Sequence, residues 1–196
     1  MQNAVAVSEV LDLTEYEKVR PAFRAEVLAE KERRRVRVGD HFTFLFENRR
    51  SVLYQIQEML RIERIVEERA IAHEVETYNE LLPPPGGLGA TLLLEYEQRE
   101  TRAVVLRELL GLERHVWLHV GQAPPVAGVF DRRQMGSERL SSVQYVTFPL
   151  EEAHRAAWHD AAAAGALKLV VNHPRYSHEA VLSPDVAAAL AEDFAG

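Results

Sequence analysis

Alternation of apolar and polar residues is sharpest over Arg35-Val-Arg-Val-Gly-Asp-His-Phe-Thr-Phe-Leu-Phe-Glu47. Two runs of period two flank Gly39-Asp40, which predicts a β-hairpin closed by a two-residue II′ turn. Phe42, Phe44 and Phe46 then share the core face, and Thr43, Leu45 and Glu47 share the other. Downstream the period changes. Val52, Ile56, Met59, Leu60 and Val66 recur at helical spacing, predicting one long helix over residues 48–69 with Asn48 or Ser51 as its cap. A further turn or two, about 71–81, follows it. Upstream, Thr14 and Glu17 have capping-box spacing. Pro21 lacks an amide hydrogen and crowds the preceding turn, so the pattern predicts two helical pieces, 14–19 and 21–33.

Pro83-Pro-Pro-Gly-Gly87 is the strongest breaker in the chain, and its three prolines suit a rigid bend better than a flexible linker. Beyond it the pattern predicts strands at 90–97, 114–120, 126–130, 142–148 and 167–172. Helices are predicted at 101–110, from Pro149 to about 164, and from Ser183-Pro184 to about 194. A hairpin followed by strands mixed with single helices gives an α+β fold, a mostly antiparallel sheet with helices packed on one face. Residues 1–82 hold the helices, the hairpin and the long helix, and 88–196 hold the mixed half. Together they read as one domain or two closely packed halves joined by 83–87.

Composition narrows the function classes. The 196 residues are 47% hydrophobic and 27% charged, an ordinary globular balance. No apolar run approaches the roughly 20 residues of a membrane-spanning helix, and the first nine residues carry no secretory pattern. The expectation is a cytoplasmic protein without a membrane partner. Zero cysteines exclude disulfides, thiolate nucleophiles and Cys-ligated zinc or iron–sulfur clusters in this chain. A net charge of −7 and a pI near 5.6 argue against nucleic acid as a partner. Oligomerisation stays open, and no cofactor is implied by the residues.

The chemistry-bearing clusters are few. Gly86-Gly-Leu-Gly89 precedes a strand and not a helix, so it makes a poor phosphate cradle. No serine sits in a Gly-x-Ser-x-Gly elbow. His115 and His119 flank Trp117 on one strand face but stand about 13 Å apart, too far to share an ion. Glu151 and His154 have the spacing of di-iron helices, yet the chain holds no second copy. His173 and His178 bracket a turn between two strands, and a hairpin can bring such a pair together as two metal ligands. The basic run Lys31-Glu-Arg-Arg-Arg-Val-Arg37 suits a helix C-terminus and a protected sheet edge, with docking of an acidic partner as the alternative.

Carboxylate placement on the long helix is the most informative oddity. On a wheel of 100° per residue Glu63 falls inside the apolar arc and Glu67 at its border. A carboxylate facing a core must be paired, protonated or metal-bound. Arg20, Arg24 and Arg49 are its expected partners, or a cation shared with Glu47 or Glu95.

Several strings carry a resemblance. Arg20-Pro-Ala-Phe-Arg24, Phe46-Glu-Asn-Arg49, Tyr54-Gln-Ile-Gln-Glu-Met-Leu-Arg61 with Glu63, Tyr78-Asn79, Ala90-Thr-Leu92 and Asn172-His-Pro-Arg-Tyr176 resemble a bacterial domain-of-unknown-function family over nearly the whole chain. Asn172 stands where aspartate is expected, and Ala70 where glycine is common. The resemblance implies no established activity. It does imply genes neighbouring a rubrerythrin-like protein and an iron–sulfur oxidoreductase, hence a cytosolic accessory protein of a redox or peroxide-defence pathway that docks such a partner without catalysis of its own. The alternative is an enzyme or divalent-metal-binding protein using the carboxylates around the long helix. Both readings converge on Arg20, Arg24, Glu47, Gln55, Glu58, Glu63, Tyr78 and Asn79 as candidate binding residues. Glu63, Glu47, His173 and His178 are the candidate metal ligands.

Overall fold

The computed structural model describes residues 4–83, 85–134 and 136–194. The fold is α+β, and it divides into two compact units. One comprises residues up to Arg33 together with Glu47–Leu82, and the other comprises Arg34–Phe46 and the chain from Pro83 onward. The hairpin, although early in sequence, therefore packs within the second unit. The two described residues flanking the hairpin segment, Arg33 and Glu47, belong to the first.

The first unit is helical. Helix α1 runs Leu13–Arg33, α2 runs Arg49–Glu63 and α3 runs Glu68–Asn79. α1 is one helix and not two, with Pro21 inside it. Proline in a helix interior costs about 3 kcal/mol, but the strong helix formers on either side and packing against α2 carry the helix through. Its cap is also not the expected one. Asp12 Oδ1 accepts the amides of Thr14 and Glu15 at 2.8 and 2.9 Å, meeting the unpaired donors of the first turn. α2 opens as expected, Asn48 accepting from the Ser51 amide while the Ser51 hydroxyl takes the Asn48 amide. It ends earlier than expected. Arg64 adopts φ 55°, ψ 40°, and its amide and that of Ile65 both bond back to the Leu60 carbonyl, so the helix predicted to reach residue 69 is two helices. Val5, Val52, Ile56, Leu60 and Val75 form the core of this unit. Two side-chain amides clip the leading segment to it. Asn79 pairs with both backbone groups of Val5, and Gln57 does the same for Leu11.

The second unit holds two sheets where one was expected. Strands β1 (Arg35–Val38), β2 (Phe42–Glu47), β3 (Leu88–Leu94), β6 (Val129–Phe130) and β7 (Val143–Phe148) form a sheet in the order β1-β2-β3-β7-β6. Strands β4 (Val116–Val120), β5 (Val126–Ala127), β8 (Leu167–His173) and β9 (Tyr176–Val181) form the other, in the order β5-β4-β8-β9. Pairing is antiparallel in β1–β2, β3–β7 and β8–β9, with Val36 opposite Phe44 and Ala90 opposite Val146. Segment 126–130 crosses from one sheet to the other at Gly128. A Cβ there would stand 2.9 Å from the Val146 side chain and 3.3 Å from that of Val116, so only glycine lets the chain change sheets this close to its neighbours. Helices α4 (Arg99–Glu108), α5 (Glu152–Ala163) and α6 (Pro184–Ala191) complete the unit. α5 buries Trp158, whose indole donates to the Ala187 carbonyl, and Ser183 caps α6 as expected.

Phe42, Phe44 and Phe46 are all at or below 1% exposure, so the register of β2 is as expected. The turn before it is longer. Gly39, Asp40 and His41 connect Val38 to Phe42, because His41 is held outside the strand. Its amide donates to the Tyr176 hydroxyl at 3.0 Å and its ring bonds the Glu95 carbonyl. Arg34 departs furthest from expectation. The basic run is expected to serve a helix C-terminus and a sheet edge, but Arg34 is 1% exposed. Its guanidinium donates to the carbonyls of Phe46 and Ala189 and pairs with Asp193.

Candidate binding surface

The polar groups of the helical unit gather along α2. At its start the buried Glu47 carboxylate accepts from the Ser51 hydroxyl at 2.5 Å and from Gln55 Nε2 at 3.2 Å. Two turns on, Glu58 faces α1. Arg20 grips it with two nitrogens, at 2.7 and 2.9 Å, and the fully buried Tyr16 donates its hydroxyl at 2.8 Å. Arg61 Nε stands 3.5 Å away. This arrangement is a bidentate, charge-assisted contact. The hydrogen bonds from Arg20 hold the Glu58 carboxyl down at about 2, with burial opposing and Tyr16 assisting. Burial, then the Glu58 carboxylate, pushes the Tyr16 hydroxyl up. Glu58 is thus a permanent anion at neutral pH and Tyr16 a permanent donor, which makes the trio a rigid brace between α1 and α2.

Of the other candidate residues, Asn79 clips Val5, Tyr78 packs on the helical core, and Arg24 is exposed. Glu63 is a correction. It is the last residue of α2 and lies exposed, and two of its three expected partners are engaged elsewhere, Arg20 by Glu58 and Arg49 by Glu9. The wheel angle was sound, but angle says nothing about how far along the axis the packing extends. Val66, which helped define the arc, lies past the helix and is 74% exposed. The inward carboxylate of α2 is Glu58. Tyr16 was missed, although its spacing of four from Arg20 places both on one face of α1.

Among the described residues no three His, Asp or Glu side chains are placed to hold a metal ion. Of the candidate ligands, Glu63 and His178 are exposed and the Glu47 carboxylate accepts from Ser51 and Gln55. His173 is spoken for on both ring nitrogens: Nδ1 accepts from the Arg175 amide and Nε2 bonds the Leu110 carbonyl. Burial lowers its pKa further, so it is a neutral structural histidine. His154 is likewise structural, bonding the Glu151 amide and the Pro124 carbonyl.

Beside the Glu58 brace the same helices form a groove of about 350 Å³. Leu11, Val19, Ala22, Phe23 and Leu53 give it apolar walls, and Glu9 and Glu26, which also line it, pair with Arg49 and Arg50. Leu11 and Val19 are 41% and 44% exposed. Phe23 packs edge-on against Tyr16 and Tyr54, fixing its floor.

Fold and surface define an α+β protein with a helical unit that carries an apolar groove rimmed by ion pairs. The chain belongs to the family described as protein of unknown function (DUF3501), whose model matches residues 4–194. It is similar to a crystal structure of a protein of unknown function from Burkholderia pseudomallei. The two are 38% identical, the match covers 97% of this chain and 99% of that one, and the TM-score is 0.88. No curated protein matches the chain. No described helix is long and apolar enough to cross a membrane.

Proposed function

We propose that this chain is a cytoplasmic accessory protein of a redox or peroxide-defence pathway, and that it docks a partner protein through its helical unit. The observation that carries the reading is the α1–α2 groove. A concave apolar surface left open to water beside a rigid brace supports a surface that is covered in use. Acidic side chains outnumber basic ones in this unit, so it keeps a negative balance although Glu15, Glu17 and Glu26 along α1 pair with Lys18, Arg61 and Arg50. The matching partner segment therefore presents an apolar side chain flanked by lysine or arginine. The family resemblance points to a rubrerythrin-like protein or an iron–sulfur oxidoreductase as its owner.

Calorimetric titration of this chain with the purified iron–sulfur oxidoreductase and with the rubrerythrin-like protein tests the reading. Micromolar association is expected with one of them. Val19→Glu, at an exposed groove position, should weaken it at least tenfold, about 1.4 kcal/mol, with an unchanged melting temperature. No association with either protein, or equal affinity in the variant, overturns the proposal.

A further inference from the structure

In the sheet unit, β8 and β9 are joined by the two-residue turn Pro174-Arg175, and His173 and Tyr176 are the opposed pair that closes it. His173 is 5% exposed. Its Nδ1 accepts the Arg175 amide at 3.2 Å, and its Nε2 stands 3.3 Å from the Leu110 carbonyl. A carbonyl only accepts, so Nε2 carries the hydrogen of the ring and Nδ1 the lone pair. The two bonds coexist only on a neutral ring. A proton on Nδ1 sets one N–H against another and breaks the bond that holds the turn.

Tyr176 couples that turn to a second one. Its hydroxyl donates to the Val38 carbonyl at 2.7 Å and accepts the His41 amide at 3.0 Å, so it grips both ends of the β1–β2 turn. Its ring stacks on Phe42 with centroids 3.9 Å apart. One side chain thus ties the two hairpin turns together, and it springs from the turn that the neutral His173 ring closes. Other rings nearby lack this sensitivity. His41 Nδ1 donates to the Glu95 carbonyl and His115 Nδ1 to Asn172 Oδ1, bonds that survive charging of either ring.

We propose that this arrangement is an acid-released latch: protonation of His173 opens the β8–β9 turn and withdraws the Tyr176 hydroxyl from the β1–β2 turn while the sheets stay folded. The surroundings of His173 keep it shut at neutral pH. Burial, above all, lowers the pKa of the ring; the edge-on His115 ring, 5.0 Å away, and the Arg175 cation act in the same direction, and the Glu113 carboxylate opposes them. Arg175 is itself paired with Glu108. The titratable groups around Tyr176 are Asp40, His41 and His178. Because the closed turn holds the ring below its ordinary value, the open turn takes up the proton first. Opening is therefore favoured as pH falls below the ordinary histidine value of about 6.5.

Amide hydrogen exchange of the intact protein, followed by NMR at about pH 7 and about pH 5 and corrected for intrinsic rates, tests the latch. Protection of the Arg175 and His41 amides should fall together, by at least about fivefold, while the amides of β3 and β7 keep theirs. His173→Asn supplies an uncharged acceptor to the Arg175 amide, and in that variant the fall should vanish. Ring-nitrogen shifts of the wild-type protein give a second readout that needs no variant. His173 should hold its hydrogen on Nε2 at neutral pH and charge over the pH range in which Arg175 loses protection. Unchanged protection, a fall shared by β3 and β7, an equal fall in His173→Asn, or a ring already charged at neutral pH overturns the proposal. His154, which accepts the Glu151 amide in the same way at the start of α5, is the comparison. A response abolished by His154→Asn, His41→Gln or His178→Gln belongs to another ring and overturns it as well. The latch shares no residue with the docking groove, so the two tests fail separately.

Discussion

Replacing Glu58 by glutamine keeps the shape of the α1–α2 brace and removes its charge. In the native protein the carboxyl sits at about 2 instead of the ordinary 4.5, chiefly through the Arg20 hydrogen bonds. A depression of that size corresponds to at most about 3 kcal/mol of folded-state stabilisation. The Arg20 and Glu58 side chains are 26% and 16% exposed, and solvent screening reduces the expected value to about 1–2 kcal/mol. The sign follows from the direction. Because the folded carboxyl ionises more readily than the unfolded one, its contribution is complete above the unfolded value and fades as pH falls towards the folded value. Urea melts of wild type and Glu58→Gln should therefore differ by about 1–2 kcal/mol from pH 7 down to about pH 5, and the gap should narrow steadily as the pH is lowered further. Pairing Glu58→Gln with Arg20→Met in a double-mutant cycle should return most of the same energy as coupling. A gap independent of pH, or a coupling near zero, would refute the assignment of stability to this pair.

Phe44→Ala empties a fully buried position on β2 and should cost about 3–5 kcal/mol in a urea melt; a loss below about 1 kcal/mol would sink the placement of that strand. Arg34→Met removes the buried guanidinium that pairs with Asp193 and takes the donor from two carbonyls, so a loss of about 3–5 kcal/mol is expected, read from the shift in the denaturation midpoint. Glu63→Gln should change stability by less than about 0.5 kcal/mol, because the carboxylate is already in water, and a larger effect in thermal melts would count against the exposed placement. Gly39 sits at φ 65°, with the Tyr176 hydroxyl 2.4 Å from where a Cβ would stand. Gly39→Ala should cost at least about 1–3 kcal/mol, and a neutral result would mean that the turn has room to relax.

Legibility in the sequence tracked the kind of force involved. Elements held by periodic burial were readable. The alternation in β2 placed all three phenylalanines inside, and Val52, Ile56 and Leu60 marked the core stripe of α2. Elements decided by competition among neighbours were not. Pro21 argues for a break in α1 that the flanking helix formers override. The stop in α2 depends on Arg64 taking a left-handed conformation without glycine or proline to announce it. The division into two sheets rests on Gly128, a single small residue whose significance is the proximity of Val116 and Val146. That proximity belongs to the assembled fold and has no local signature.

The candidate site shows the same division at the level of single side chains. Charged residues were assigned from helical angle and from charge runs, and both are one-dimensional guides. Angle selected Glu63 over Glu58, yet a carboxylate is drawn inside by a donor positioned to receive it. Tyr16 and Arg20 provide that donor pair opposite Glu58 and nowhere near the end of the helix. The charge run hid Arg34 among four less buried basic neighbours. What singles it out is the convergence of the Phe46 and Ala189 carbonyls with Asp193, the last two more than 150 residues away. In both instances the decisive quantity is the position of the partner. A search for buried charge in a sequence of this kind therefore gains more from asking which donors and acceptors a fold can bring together than from asking which charges face inward.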